Sequence, residues 1–279
     1  GSKSLKRWFL SYIILAILSL VIGVGIFVTL VGRPQIAVIN VAYVELDGFT
    51  ADEINKTLQF VRDDNSIKAV VIKLNSPGGT VSASANVFLN TVKIRDKKPV
   101  VVQVGDIAAS GGYMWLLGAN YVYAYPASMV GNVGAIMNLP AGASSPSENV
   151  VPTGPFKLTG GSYRTYIGWL ESIKDEFIQT VFSQRGDRLK ITPEELAGGK
   201  IYFGSDAARL GLIDALGTEV DAINKAAQLA GIRNYTLVDV NAALKEQGTN
   251  LSFSKFGNYS SNSVKEQFPY IHYMFWEPK

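Results

Sequence analysis

Ala69-Val70-Val71-Ile72-Lys73-Leu74-Asn75-Ser76-Pro77-Gly78-Gly79 reads as an apolar strand that runs straight into a glycine turn. A helical stretch over 81–92 follows, with Thr80 placed to cap it. The same strand type recurs on either side, at 36–41 and 99–104. Runs that are apolar nearly throughout, separated by helices, predict a parallel sheet covered on both faces. Between the first two strands, 50–62 reads as a helix, with Thr50 as N-cap and Glu53 as its capping-box partner. After the third strand, 110–117 is a short helix, and 121–124 and 133–137 are further short strands. Helices are expected over 166–185, 194–197, 205–210 and 219–230, and a final strand over 235–240. The stretch 139–152, rich in Pro, Ser, Gly and Ala, reads as a loop.

Composition narrows the chemistry. The chain has 279 residues, 47% of them hydrophobic, which suffices for a sizeable core. A net charge of +3 without a dense basic stripe gives no case for nucleic acid. With no cysteine, disulfides, thiolate nucleophiles and cysteine-bound metals are excluded. The single histidine, His272, lies near the C-terminus, where it reads as an aromatic-cluster or surface residue. Zinc sites ordinarily recruit several histidines. A hydrolase built from this chain therefore needs a base other than histidine.

The N-terminal region reads differently. Lys3, Lys6 and Arg7 precede an uncharged run over 8–31. As a helix this run is about 36 Å long, enough to cross a bilayer core. No clean small-x-small cleavage site follows it, so it reads as an uncleaved anchor. Positive charge before the span predicts a cytoplasmic N-terminus and an extracytoplasmic remainder.

Three features carry candidate chemistry. In the turn at 75–79, glycines after a parallel strand let backbone N–H groups converge on an anion or a developing oxyanion; alone, this is equally an ordinary tight turn. Ala108-Ala109-Ser110-Gly111-Gly112 also follows a strand. Small neighbours leave the Ser110 hydroxyl accessible at a strand-to-helix turn, and the next N–H can face an oxyanion. Read alone, Ser110 is also a plain helix N-cap. Thr153-Gly154-Pro155-Phe156-Lys157-Leu158 sets a lysine among apolar residues. An apolar pocket disfavours the charged form of a lysine, and the neutral amine can activate a serine. Read alone, Lys157 is a surface lysine on a loop.

In this order the three features resemble the signal peptide peptidase A family of Ser-Lys proteases, related in fold to the Clp protease and crotonase superfamily. The resemblance runs from about 36 to 230. It implies a Clp/crotonase-like α/β domain with Ser110 as nucleophile, Lys157 as base and the amides of Gly79 and Gly111 as the oxyanion hole, without metal or other cofactor. Pro126 with Gly131-Asn132-Val133-Gly134 resembles a further family stretch. Ser205-Asp206-Ala207-Ala208-Arg209-Leu210-Gly211-Leu212-Ile213-Asp214-Ala215-Leu216-Gly217 resembles a specific, non-catalytic family signature. In two places the chain departs from the pattern. The stretch 139–152 is too short and Pro/Ser-rich for the helix many members carry there, which leaves Arg164 as an alternative occupant of the base position; an arginine cannot serve as a base. The aromatic tail near Phe268 and Trp276 has no family counterpart.

The expected organisation is a cytoplasmic N-terminus over 1–7, an anchor over 8–31, a protease domain over 34–246 and a tail over 247–279. The resemblance implies peptide substrates such as signal-peptide remnants, and a homo-oligomeric ring, an assembly in which serine and lysine can come from one subunit or from adjacent ones. A stomatin-associated Ser-Lys membrane protease and a non-catalytic scaffold of the same fold are the alternatives. An acyl-CoA enzyme of the crotonase type is disfavoured, because no acid/base carboxylate stands out beside the glycine turns.

Overall fold

The computed structural model describes residues 2–31, 33–138, 153–249, 251 and 253. The expected loop at 139–152 and the aromatic tail with His272 lie outside them. Helix α1 (Ser2–Val31) leads into β1 (Gln35–Asn40), the two-residue β2 (Glu45–Leu46), α2 (Gly48–Asp63) and β3 (Ile67–Ser76). The two-residue β4 (Gly78–Gly79), α3 (Val81–Arg95), β5 (Val100–Ala109), α4 (Gly111–Leu116), β6 (Tyr121–Ala124) and β7 (Met129–Gly131) follow. The C-terminal half holds α5 (Tyr163–Arg185), α6 (Pro193–Ala197), β8 (Ile201–Phe203), α7 (Gly204–Arg209) and β9 (Ala215–Leu216). It closes with α8 (Glu219–Ala230), β10 (Thr236–Asp239) and α9 (Val240–Glu246).

The main sheet runs β10-β1-β3-β5-β6-β9, with every neighbouring pair parallel. The apolar runs explain it. In β1 and β3, alternate residues enter opposite cores: Ala37, Ile39, Val70 and Ile72 on one face, Ile36, Val38, Ala69 and Val71 on the other. Ala222 and Ala226, one turn apart on α8, bring that helix close against the second face. Burying each Val or Ile contributes about 1.5–3 kcal/mol, so the sheet interior dominates stability.

Strand β5 is central in more than its position. Its first half pairs with β6, and its last residues, Ile107 to Ala109, pair with β7 instead. Strand β7 in turn holds β8 antiparallel. The expected strand over 133–137 is thus replaced by one at 129–131. Left-handed backbone at Gly131 (φ 107°) and Asn132 (φ 55°) ends the extended run there.

Helix α2 starts earlier than expected. Asp47, not Thr50, is its N-cap, accepting from the Thr50 N–H at 2.8 Å, while Thr50 Oγ1 accepts from the Asp47 N–H at 2.9 Å. Thr50 is therefore the reciprocal partner of the capping box rather than its first member. Thr80 caps α3, accepting from the Ala83 N–H. The main core reaches past Glu246: Leu251 and Phe253 are buried in it, and the Ala42 N–H donates to the Phe253 carbonyl at 3.0 Å.

Helix α1 is 30 residues long, and its described side chains, at 8, 9 and 11–23, are exposed and largely apolar. Among the described residues no helix is long and apolar enough to cross a membrane. The anchor expected over 8–31 is not established by this helix.

Candidate active site

A parallel sheet collects its strand ends on one edge, and here the ends of β3 and β5 lie together, with Ser76 in register with Ala108. Past Ser76 the chain turns through Gly78 and Gly79. Past Ala109 it turns through Ser110 into α4.

The turn at Ser110 requires an unusual backbone. Ser110 has φ 52° and ψ −121°, outside the regions open to most L-residues. Its N–H donates to the Gly131 carbonyl at 2.9 Å, and its own carbonyl accepts from the Met114 N–H at 2.9 Å. Ser110 therefore occupies the N-cap position, yet its hydroxyl makes no capping bond. A plain N-cap would have extended backbone and a side chain bonded into the first turn. The structure thus removes the capping explanation for this serine.

The glycines are where side chains cannot fit. A Cβ on Gly78 would fall 2.8 Å from the Ser110 Cβ and 2.8 Å from the Gly111 nitrogen. On Gly79, with φ 156°, it would fall 2.0 Å from the Leu46 carbonyl oxygen, because β4 pairs with β2. On Gly111 it would fall 2.0 Å from Ser84 Oγ and 3.2 Å from the Gly79 nitrogen. The backbones of 78–79 and 110–111 are thus in close contact. Gly111 is the first residue of α4, so its N–H has no acceptor within the helix. Ser76 holds the arrangement from below: its hydroxyl donates to the Val44 carbonyl at 2.7 Å and accepts from the Gly78 N–H at 3.2 Å.

Lys157 lies in a different setting. It sits in a run of turns ahead of α5, its N–H donating to the Gly154 carbonyl at 3.2 Å. Its side chain is exposed, and so are Phe156 (53%) and Leu158 (47%). Among the described residues no apolar pocket surrounds this lysine, and none of their hydrogen bonds or ion pairs joins it to Ser110. Arg164 is exposed in the first turn of α5. The structure brings together Gly79, Ser110 and Gly111, and leaves both basic residues apart from them.

The stretch 205–217 acquires a physical role. The Arg185 guanidinium makes a two-pronged bond to Asp214, at 3.0 and 3.1 Å, and also donates to the Gly211 carbonyl at 2.7 Å. Both side chains are buried, at 4% and 5% exposure. Asp214 also accepts from the Val122 N–H at 2.8 Å and from Arg188 at 2.9 Å. Next to it, the Tyr113 hydroxyl donates to the Leu212 carbonyl at 3.0 Å. Burial pushes the Tyr113 phenol far above its usual range, a shift that Arg185 opposes and Asp214 adds to, so it stays a donor. Since Tyr113 is on α4, this network fixes the helix that Ser110 begins. Sequence reasoning missed Arg185, which looked like an ordinary basic residue at a helix end; the signal available was the acidic partner in Gly-Leu-Ile-Asp.

A covered parallel sheet whose strand-to-helix turn presents a strained serine beside two glycine amides defines the class, an α/β protein with the backbone framework of a serine hydrolase. Residues 93–145 and 156–233 match the model of peptidase family S49. Protease 4 of Haemophilus influenzae is 34% identical over 73% of this chain. A Synechocystis protein named "Putative protease" is 32% identical, the match covering 72% of this chain and 76% of that protein. The chain belongs to peptidase family S49, the signal peptide peptidase A family of serine peptidases. It spans only 36% of the length of the Haemophilus protein. Among solved structures, a mutant of the 1510-N membrane-bound stomatin-specific protease superposes with a TM-score of 0.51 at 16% identity. That match covers 75% of this chain and 94% of the other. A second mutant, in complex with a substrate peptide, gives 0.50 at 18% over 70% of this chain and 81% of that one. At such identity the likeness shows the fold alone.

Proposed function

We propose that this chain is a membrane-anchored serine endopeptidase in which Ser110 is the nucleophile, Lys157 the base, and the N–H groups of Gly79 and Gly111 the oxyanion hole. The observation that carries the reading is Ser110 itself, held at positive φ beside two glycine amides with its hydroxyl unspent on capping. A strained residue persists only where its surroundings over-determine it, and here both glycine turns and the Gly131 carbonyl do so.

The reaction is acyl transfer. Lys157 takes the Ser110 proton as the oxygen attacks the peptide carbonyl carbon, and the oxyanion is held by the two amides. Lys157 then protonates the leaving amine, and water releases the acyl group from Ser110. The exposed Phe156 and Leu158 support a further reading: a neighbouring copy covers Lys157, completing the dyad between protomers of a homo-oligomeric ring. Residues 8–31 cross the bilayer, with 1–7 cytoplasmic, the domain from 34 onward extracytoplasmic and 247–279 a C-terminal extension. Substrates are extended apolar peptides such as signal-peptide remnants, which can reach the strand-end edge as backbone.

Ser110→Ala and Lys157→Ala, assayed on a denatured apolar protein, test the dyad. Full activity in either would sink the assignment. Loss in Arg164→Ala with activity kept in Lys157→Ala would move the base to the other motif's neighbourhood. Failure of an active-site serine probe to label Ser110 in the intact assembly would favour a non-catalytic scaffold.

A further inference from the structure

Strands that end together also begin together, and the edge where this sheet begins is lined with cations. Arg33 precedes β1, Lys68 is the second residue of β3, Lys97 and Lys98 lead into β5, and Arg233 precedes β10. Arg62, in the last turn of α2, adjoins them. The Lys98 ammonium ties that helix end to the edge, donating to the carbonyls of Val61 at 2.7 Å and Asp64 at 2.5 Å. Three carboxylates share the region. Asp63 pairs with Arg62 at 2.9 Å, Asp64 accepts from Ser66 at 2.7 Å, and Asp96 ends α3. Among the described residues Arg33, Lys68, Lys97 and Arg233 are exposed and make no ion pair.

Arg62, Asn65, Lys68, Lys97 and Lys98, with Asp63 as the one carboxylate, face an open cleft of about 430 Å³. The cations crowd one another there. Burial lowers the basicity of Lys98; Asp64 and Asp63 work against that, while Lys68 and Lys97 add to it. A surface that concentrates like charge on flexible stems suits a partner carrying many phosphates in one plane.

Connectivity says where that edge lies. Only residues 32–34 separate Val31, the end of α1, from Gln35, the start of β1. Four chain steps reach at most about 14 Å. We infer that the strand-start edge docks on the anionic phospholipid headgroups of the bilayer that holds residues 8–31. This rests on the anchor reading above. Its corollary concerns the catalytic edge: β3 is 10 residues long, so Ser110 stands about 30 Å from the headgroups.

The test uses the full chain in lipid nanodiscs and compares phosphatidylglycerol with phosphatidylcholine. The readout is the acetylation rate of single lysines by mass spectrometry. Lys68 and Lys97 are expected to react about fivefold more slowly in the anionic discs, and the difference to vanish in high salt. Lys73, near the far end of the same strand, should react equally in both. Equal rates for Lys68 and Lys97 in the two lipids overturn the inference. So does equal protection by inorganic phosphate in phosphatidylcholine discs, which would mark a free-anion site instead. Alkaline carbonate extraction from phosphatidylcholine vesicles reads the anchor separately. A chain that is stripped off loses both readings; one that stays while its lysines show no lipid dependence loses only this one.

Discussion

The two edges of the sheet are made from the same set of parallel strands and are built on opposite terms. At the edge where strands end, the chain gives up side chains: Gly78, Gly79, Gly111 and Gly112 let backbone approach backbone, and Ser110 is held in a conformation it would not choose. At the edge where strands begin, no backbones are pressed together and the side chains carry the character, as Arg33, Lys68, Lys97 and Arg233. The first edge depends on ångström-scale sterics and should fail on the addition of one methyl group. The second depends on summed charge and should change gradually with each residue and with salt.

Experiments can break that contrast. The largest effect belongs to Ser110→Ala, expected to lower kcat/KM about 10⁴-fold or more in a peptide-hydrolysis assay with stability nearly unchanged. Asp214→Ala comes next. It leaves the Arg185 guanidinium buried without its carboxylate, and should cost about 3–5 kcal/mol by urea denaturation. If it left Ser110 reactive at full rate, the role given to the network beneath α4 would be wrong. Gly79→Ala must displace the Leu46 carbonyl, and should cost about 10²–10³ in kcat through loss of an oxyanion donor. Gly231→Ala is the contrasting case near the other edge. Its φ is 66° with nothing within 4 Å of the new Cβ, so only about 1 kcal/mol of stability and no activity should be lost.

The smallest effect is one of pH. The backbone hydrogen bond from Thr50, with help from its side chain, holds the Asp47 carboxyl below its usual value of 3.8, against the opposing effect of burial. A carboxylate whose folded value is depressed stabilises fully above its unfolded value, and that contribution disappears as pH falls through the lower, folded one. Between about pH 5 and pH 2.5, wild type should therefore lose more stability than Asp47→Ala, measured as the shift in urea midpoint. Because Asp47 follows Leu46, the partner of Gly79, acid weakening of this cap sharpens the test of how far the catalytic edge relies on its supports.

Much of this architecture was legible beforehand. Strands at 36–41, 69–74 and 99–104 are runs dominated by Val, Ile and Ala, each with a single polar residue, and such runs have few other ways to be buried. Helix 219–230 was read to the residue, because Thr218 and Gly231 punctuate it on both sides. Less legible were the pieces whose identity depends on a distant partner. The two-residue strands β2 and β4 exist only because they pair with each other, and β8 because β7 offers it an edge. The strand expected at 133–137 failed because alternating small and apolar residues do not announce left-handed backbone at Gly131 and Asn132. The apolar neighbours of Lys157 in sequence predict a pocket, yet Phe156 and Leu158 face solvent.

For Ser110 the division is sharper still. That a serine flanked by small residues follows a buried strand and opens a helix is written into the local pattern, because apolar runs and glycines constrain the chain locally. Whether that serine caps the helix or stands free was decided only by tertiary structure. The Gly131 carbonyl takes its N–H, the Gly78–Gly79 backbone packs against its Cβ, and together they force φ to 52°. Those contacts come from residues 21 or more positions away in the chain, and no local propensity encodes them.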